Sequence, residues 1–263
     1  MTRSTDTIRT RLVELSEEKH ADFTAKLAPT VPREHILGVR VPALRTLAKH
    51  LRRKEPALVE AFLISLPHET LEENLLHALI LNEEKDFDEL IRRLEEFFPV
   101  IDNWMVSDII SPGLTATHHE ELEGSISQWL TSNQVYPVRV AVQLLMSYYL
   151  DDYFRKDHLN WVAAVSNPDY YARMACAWYF ATALAKQPHA TGPYFFAKAD
   201  EEGMDDQTRK MAITKACESR RIPDATKEAL RKERQRLSIA SAGTRQGPKK
   251  AEYSAGLATI CQK

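Results

Sequence analysis

"YARMACAWY" (residues 171–179) and "TRKMAITKA" (208–216) superimpose through Met174-Ala175 and Met211-Ala212. "YPVRVAVQL" (136–144), set on "YYARMACAW" (170–178), gives a third copy of the pattern. In this register Arg139, Arg173 and Lys210 share one position. Strongly apolar helical segments begin near residues 41, 72, 103, 136, 171 and 207, so the steps are about 31 to 36 residues. Each step leaves room for a second helix and two short turns. "PALVEAFLISL" (56–66), "FDELIRRLEEFF" (87–98), "ELEGSISQWL" (121–130) and "HLNWVAAVS" (158–166) fill that role. Two helices every ~30–40 residues is the signature of an α-solenoid, with one set of helices lining a concave surface. The repeats do not carry the signatures of tetratricopeptide or ankyrin units.

Local signals agree with an all-helical chain. "VPALRTLAKHL" (41–51) places apolar residues at 41, 44, 47, 48 and 51, a helical spacing. Pro42 fits its first turn, where a missing N–H costs nothing. "HETLEENLLHALILN" (68–82) opens with Thr70 and Glu73, the pattern of a capping box. Glycine is scarce, at eight residues, and alternating strand patterns are hard to find. After about residue 237 the chain turns rich in Ser, Ala, Gly and Lys without periodicity. The expected organisation is a repeat domain over 1–236 and a flexible tail over 237–263, with Cys261 incidental in that tail.

Composition excludes several classes. The 263 residues are 44% hydrophobic and 27% charged, which suits a globular protein with a sizeable core. No apolar run approaches the ~18 residues of a membrane span, and the N-terminal stretch lacks an apolar signal segment, so a cytoplasmic location is expected. Three widely spaced cysteines, Cys176, Cys217 and Cys261, do not form a disulfide framework. There is no CxxC, HxxxH, GxGxxG or GxxxxGK[ST], so neither a metal nor a nucleotide cofactor is expected. The formal net charge is only −2, but it is unevenly spread. Residues 33–54 carry seven Lys or Arg against one Glu, residues 55–98 carry three basic and twelve acidic, and residues 205–236 carry ten basic and six acidic. Separate basic and acidic surfaces follow. The shared position of Arg139, Arg173 and Lys210 would give a cationic ladder suited to tracking phosphates.

"NWMVSDII" (103–110) poses the sharpest question. Trp104 and Asp108 are four residues apart, which puts both on one face of a helix. Met105, Val106, Ile109 and Ile110 around them are apolar, so the segment is expected to pack into a core. Space-filling by Trp104 and Trp178, a helix-terminus bond for Asp108 and an ion pair for Arg139 are the plain readings of these residues.

Taken in order, "ILGVRVPALRTLAKHL", "DNWMVSDIISP", "VRVAVQLLMSYYL", "YYARMACAWYFATALAK" and "TRKMAITKACESRR" resemble the HEAT-repeat DNA alkylation repair proteins, the AlkD-like alkylpurine DNA glycosylases. The resemblance covers roughly residues 15–236. It implies a right-handed α-solenoid of about six HEAT-like helical pairs with a concave DNA-binding cleft. It implies hydrolysis of the N-glycosidic bond of cationic N3- and N7-alkylated purines in duplex DNA, by a monomer without cofactor. The family's two tryptophans, aspartate and arginine match Trp104, Trp178, Asp108 and Arg139. Arg40, Arg45, Arg139, Arg173 and Lys210 are the expected DNA contacts. One departure stands out: the aromatic that the family carries near its N-terminal helix aligns here with Leu27, and Phe23 lies one turn earlier. A DNA-structure-binding solenoid without excision activity is the alternative, and a protein–protein scaffold is a third.

Overall fold

The computed structural model describes residues 2–196 and 203–242. Among them the chain is all-helical, with fourteen α-helices and no strand. In order these are α1 (Thr2–Glu14), α2 (Glu18–Leu27), α3 (Val41–Lys54), α4 (Pro56–Leu63), α5 (Leu71–Leu81), α6 (Phe87–Phe97) and α7 (Trp104–Asp108). There follow α8 (His119–Leu130), α9 (Val135–Tyr148), α10 (Lys156–Ala163), α11 (Tyr170–Lys186), α12 (Pro188–Phe196), α13 (Asp206–Glu218) and α14 (Asp224–Ala242). The six expected strong helices are α3, α5, α7, α9, α11 and α13, each starting within one residue of the position read from periodicity. α14 crosses the boundary expected at residue 236 and buries Leu237. The rest of the expected tail, with Cys261, lies outside the described residues.

The described residues of Met1–Glu83 and Val100–Ile109 form one compact unit, and those of Glu84–Pro99 and Ile110–Gly243 form another. The first is built around α5, every residue of which is buried. That burial includes two carboxylates, and each is satisfied. Glu72 accepts the backbone N–H groups of Leu37 (2.8 Å), Gly38 (2.7 Å) and Val39 (3.3 Å). Gly38 makes this cradle possible: its φ is +87°, and a Cβ there would lie 2.3 Å from the Glu17 carbonyl oxygen. Glu73 closes the capping box with Thr70 and accepts two bonds from Arg9, at 3.0 and 2.9 Å. Burial raises the Glu73 pKa, but the bonds from Arg9 and Thr70 outweigh it and hold the carboxyl below its usual range.

In the second unit α11 packs between α9 and α13, while α8 and α10, α10 and α12, and α12 and α14 contact one another. α8 also packs on α9, α12 on α11 and α14 on α13. α12 has no counterpart in the periodicity reading, because Gly192 and Pro193 punctuate it. Thr191, Tyr194 and Phe195 are buried all the same. α11 and α13 start with one device. Asp169 and Asp205 cap them, accepting the N–H of Tyr171 and of Gln207 and Thr208. Four residues on, Arg173 donates to the Pro168 carbonyl and Arg209 to the Met204 carbonyl, so each guanidinium ties its helix to the residue before the cap.

Candidate functional site

In the first unit the candidate residues stand on α7, which is only five residues long. Such a helix cannot hold itself and depends on its attachments. Buried Asn103 is its N-cap, accepting from Met105 N–H at 3.0 Å and Val106 N–H at 3.2 Å. The Trp104 indole N–H donates to the Leu27 carbonyl at the end of α2, at 2.9 Å. Thr30 donates to the Asp102 carbonyl, and Asn82, at the end of α5, donates to the Ile109 carbonyl at 2.8 Å. Side chains from two other segments of the unit therefore fix both ends of α7.

The core-facing residues of this segment are Val106, Ser107 and Ile110. Met105 and Ile109 are half-buried, as are Trp104 and Asp108. The shared ridge of indole and carboxylate is thus the less buried side of α7, which answers why the two occur together. Ser107 Oγ lies 3.3 Å from an Asp108 carboxylate oxygen and 3.1 Å from the Trp104 carbonyl. Phe23, on α2 with Leu27, is 53% exposed.

In the second unit Trp178 is 38% exposed, although Ala175, Cys176, Ala177, Tyr179, Phe180 and Ala181 around it are all buried. The very apolar surroundings of Trp178 in sequence belong to the other faces of α11. Half-buried Met174 lies one turn before it on the same ridge, and Thr182, one turn after, donates to the Met146 sulfur of α9. Met174 was not read from sequence as a site residue. The spacing of four from Trp178 was the available signal.

The cations behave differently from one another. Arg139 is buried, and its guanidinium donates to the Tyr171 carbonyl of α11 at 2.9 Å. Arg173 is half-buried and bonds Pro168 and the Gln207 amide oxygen. The shared caps align Arg173 with Arg209 and set Lys210 level with Met174. The expected register of Arg173 against Lys210 is therefore one residue out, because matching the Met-Ala pairs ignored the helix starts. Arg209 is buried beside Asp206 and Glu233. Lys210 is half-buried. Arg40 is exposed but bonded at 2.8 and 2.9 Å to Glu17, which raises its pKa and lowers that of Glu17. Arg45 is exposed on α3.

Among the described residues no group of three or more His, Cys, Asp or Glu side chains is placed to hold a metal ion. No described helix is long and apolar enough to cross a membrane.

In the first unit α7 thus holds a carboxylate and an indole on its less buried side, and in the second unit α11 leaves an indole partly open. A family model described as DNA alkylation repair enzyme matches residues 8–216, and the chain belongs to that family. Membership supports a role in DNA alkylation repair, with DNA as the substrate. No curated protein matches the chain significantly.

Proposed function

We propose that this protein is a DNA glycosylase that hydrolyses the N-glycosidic bond of cationic N3- and N7-alkylated purines in duplex DNA. The observation that carries the reading is the ridge of α7, where Asp108 and Trp104 stay partly open while four hydrogen bonds fix the helix beneath them. In the reaction the C1′–N bond breaks and its electron pair neutralises the cationic ring, so the base leaves without prior protonation. The sugar becomes an oxocarbenium ion, and a water oxygen adds to C1′ and loses a proton. A preorganised carboxylate from Asp108 stabilises that positive sugar and orients the water. The faces of Trp104 and Trp178 attract cationic nucleotides, worth about 0.5–2 kcal/mol each. Arg45 and Lys210 are the proposed phosphate contacts. Arg139, held by Tyr171, and Arg173, held by Pro168 and Gln207, act by fixing the helices that carry Trp178 and Lys210.

The test is release of 7-methylguanine or 3-methyladenine from methylated duplex DNA by the purified full chain. Asp108→Asn is expected to lower the rate by at least about a hundredfold, the scale for losing one preorganised electrostatic group. A folded D108N protein as fast as wild type would remove the mechanism.

The alternative, a DNA-binding protein without excision, is favoured by one observation: the family's arginine position is here buried on a backbone carbonyl. Formation of abasic sites separates the two readings.

A further inference from the structure

The last described helix carries cations that helix stability does not call for. α14 buries Leu230 and Leu237 and leaves Arg231, Lys232, Arg234 and Arg236 exposed. In the turn before it Arg220 and Arg221 are exposed as well. Two of the six are paired within the helix: Lys232 with Glu228 at 3.1 Å, and Arg236 with Glu233 at 2.6 Å. The other four, Arg220, Arg221, Arg231 and Arg234, have no carboxylate partner among the described residues. Lys227, Arg231 and Arg234 follow at i, i+4 and i+7, which is one ridge rising about 6 Å and then about 4.5 Å.

Two ordinary reasons for such a ridge fail. Like charges at these spacings destabilise a helix by about 0.2–0.5 kcal/mol per pair, and only Lys227 has a local relief, at 3.7 Å from Asp224. The last turn of α14 holds no basic residue, so these cations do not offset the helix dipole. A membrane surface is a poor partner too. Apart from Ile239, the exposed positions between Glu228 and Ile239 offer no large apolar side chain to enter an interface.

We infer that the ridge of α14, with the Arg220-Arg221 turn, is a sequence-independent contact for the phosphate backbone of double-stranded DNA, additional to the residues assigned above. The inference rests on DNA being the substrate. The chain's net charge is −2, so its overall field does not draw in DNA, and Arg40 is committed to Glu17. Attraction must then come from local cation groups that no carboxylate neutralises. Guanidinium groups suit this role because they stay charged and grip phosphate oxygens two at a time.

The measurement is binding of the full chain to a short, labelled, undamaged duplex at several salt concentrations between about 50 and 200 mM. Arg231→Gln with Arg234→Gln should reduce the slope of log Kobs against log salt by about 1.8, at about 0.9 per phosphate contact. Arg231→Lys with Arg234→Lys should restore most of it, which a merely misfolded variant would not do. Arg220→Gln with Arg221→Gln should act in the same direction. An unchanged slope in the first variant overturns the inference. So does loss of binding to anionic lipid vesicles while the DNA slope stays intact. Base release by the wild type is read separately: if no methylated base is released, the glycosylase reading fails while the slopes still decide this one.

Discussion

Asn103→Ala tests whether the site depends on a short helix held from outside. The substitution removes the one acceptor of two backbone N–H groups, Met105 and Val106. Loss of an N-cap costs about 0.5–2 kcal/mol, and a buried N–H left without a partner costs about 1–3 kcal/mol. Val106 is fully buried, so the two figures describe one event of about 2 kcal/mol. That is a shift of about thirtyfold in the balance between closed and open α7. The opening is expected to be local, because α7 has only five residues, whereas α5 beneath it is wholly buried. Hydrogen exchange at Met105 and Val106 should accelerate about thirtyfold, with much smaller changes in α5. The rate of base release should fall along with it, because Asp108 stands on the last residue of the loosened helix. Asn103→Ser keeps a capping oxygen and should recover most of both. Unchanged protection at those two amides in N103A would refute the view that the cap presents the carboxylate.

Three further outcomes follow from the same structure. Gly38→Ala should destabilise the first unit by well over 1 kcal/mol, seen as a lower urea midpoint, since its Cβ would meet the Glu17 carbonyl and its φ of +87° disfavours any side chain. Trp178→Ala should lower the thermal midpoint, since most of the indole is covered, and should weaken binding of the still-folded protein to methylated duplex about 2- to 30-fold; Trp178→Phe should recover part of both. His68, buried against Phe62 with its Nε2 2.9 Å from His77 Nδ1, has its pKa lowered by burial to about 4 from 6.5. The unfolded chain therefore takes up this proton first as pH falls. The stability from neutral His68 is complete above pH 6.5 and is lost towards pH 4, about 3 kcal/mol in all. Urea midpoints measured across that window should fall on acidification, and less steeply in His68→Gln.

The helices were legible because their signals are local. Thr70 and Glu73 announce a capping box, Pro42 a first turn, and Leu44, Ala48 and Leu51 a buried face, and each holds. What escaped was decided by distant partners. Nothing near Glu72 in sequence announces that three N–H groups from residues 37–39 will receive it. α12 was missed; it contains Gly192 and Pro193, whose low helix propensity is offset by burial of Tyr194 and Phe195. The segment 103–110 packs inward as expected through Val106 and Ile110, but its pattern does not say that Met105 and Ile109 stay half-buried. A five-residue helix is too short for its apolar pattern to specify one face.

The candidate residues divide along the same line. Trp104 and Asp108 share a helical spacing, Trp178 entered through the family resemblance, and all three keep surface open to solvent. The arginines needed partners, and sequence does not supply them. Arg139, Arg173 and Lys210 look alike as letters in a repeat. One is buried on a main-chain carbonyl, one is held by Pro168 and Gln207, and one lies a position away from its supposed equivalent. A guanidinium has five donors in a fixed fork, so one residue type can brace a helix start or grip a phosphate. Burial decides which, and a repeat alignment carries no burial. The cations without carboxylates, at Arg220, Arg221, Arg231 and Arg234, lie beyond the residues that the family model matches, in a turn and a helix after residue 216. Comparing the salt slopes of Arg139→Gln and of Arg231→Gln with Arg234→Gln therefore weighs the two assignments directly. A bracing arginine should lower stability and leave the slope alone, whereas the exposed pair should lower the slope and leave stability nearly untouched.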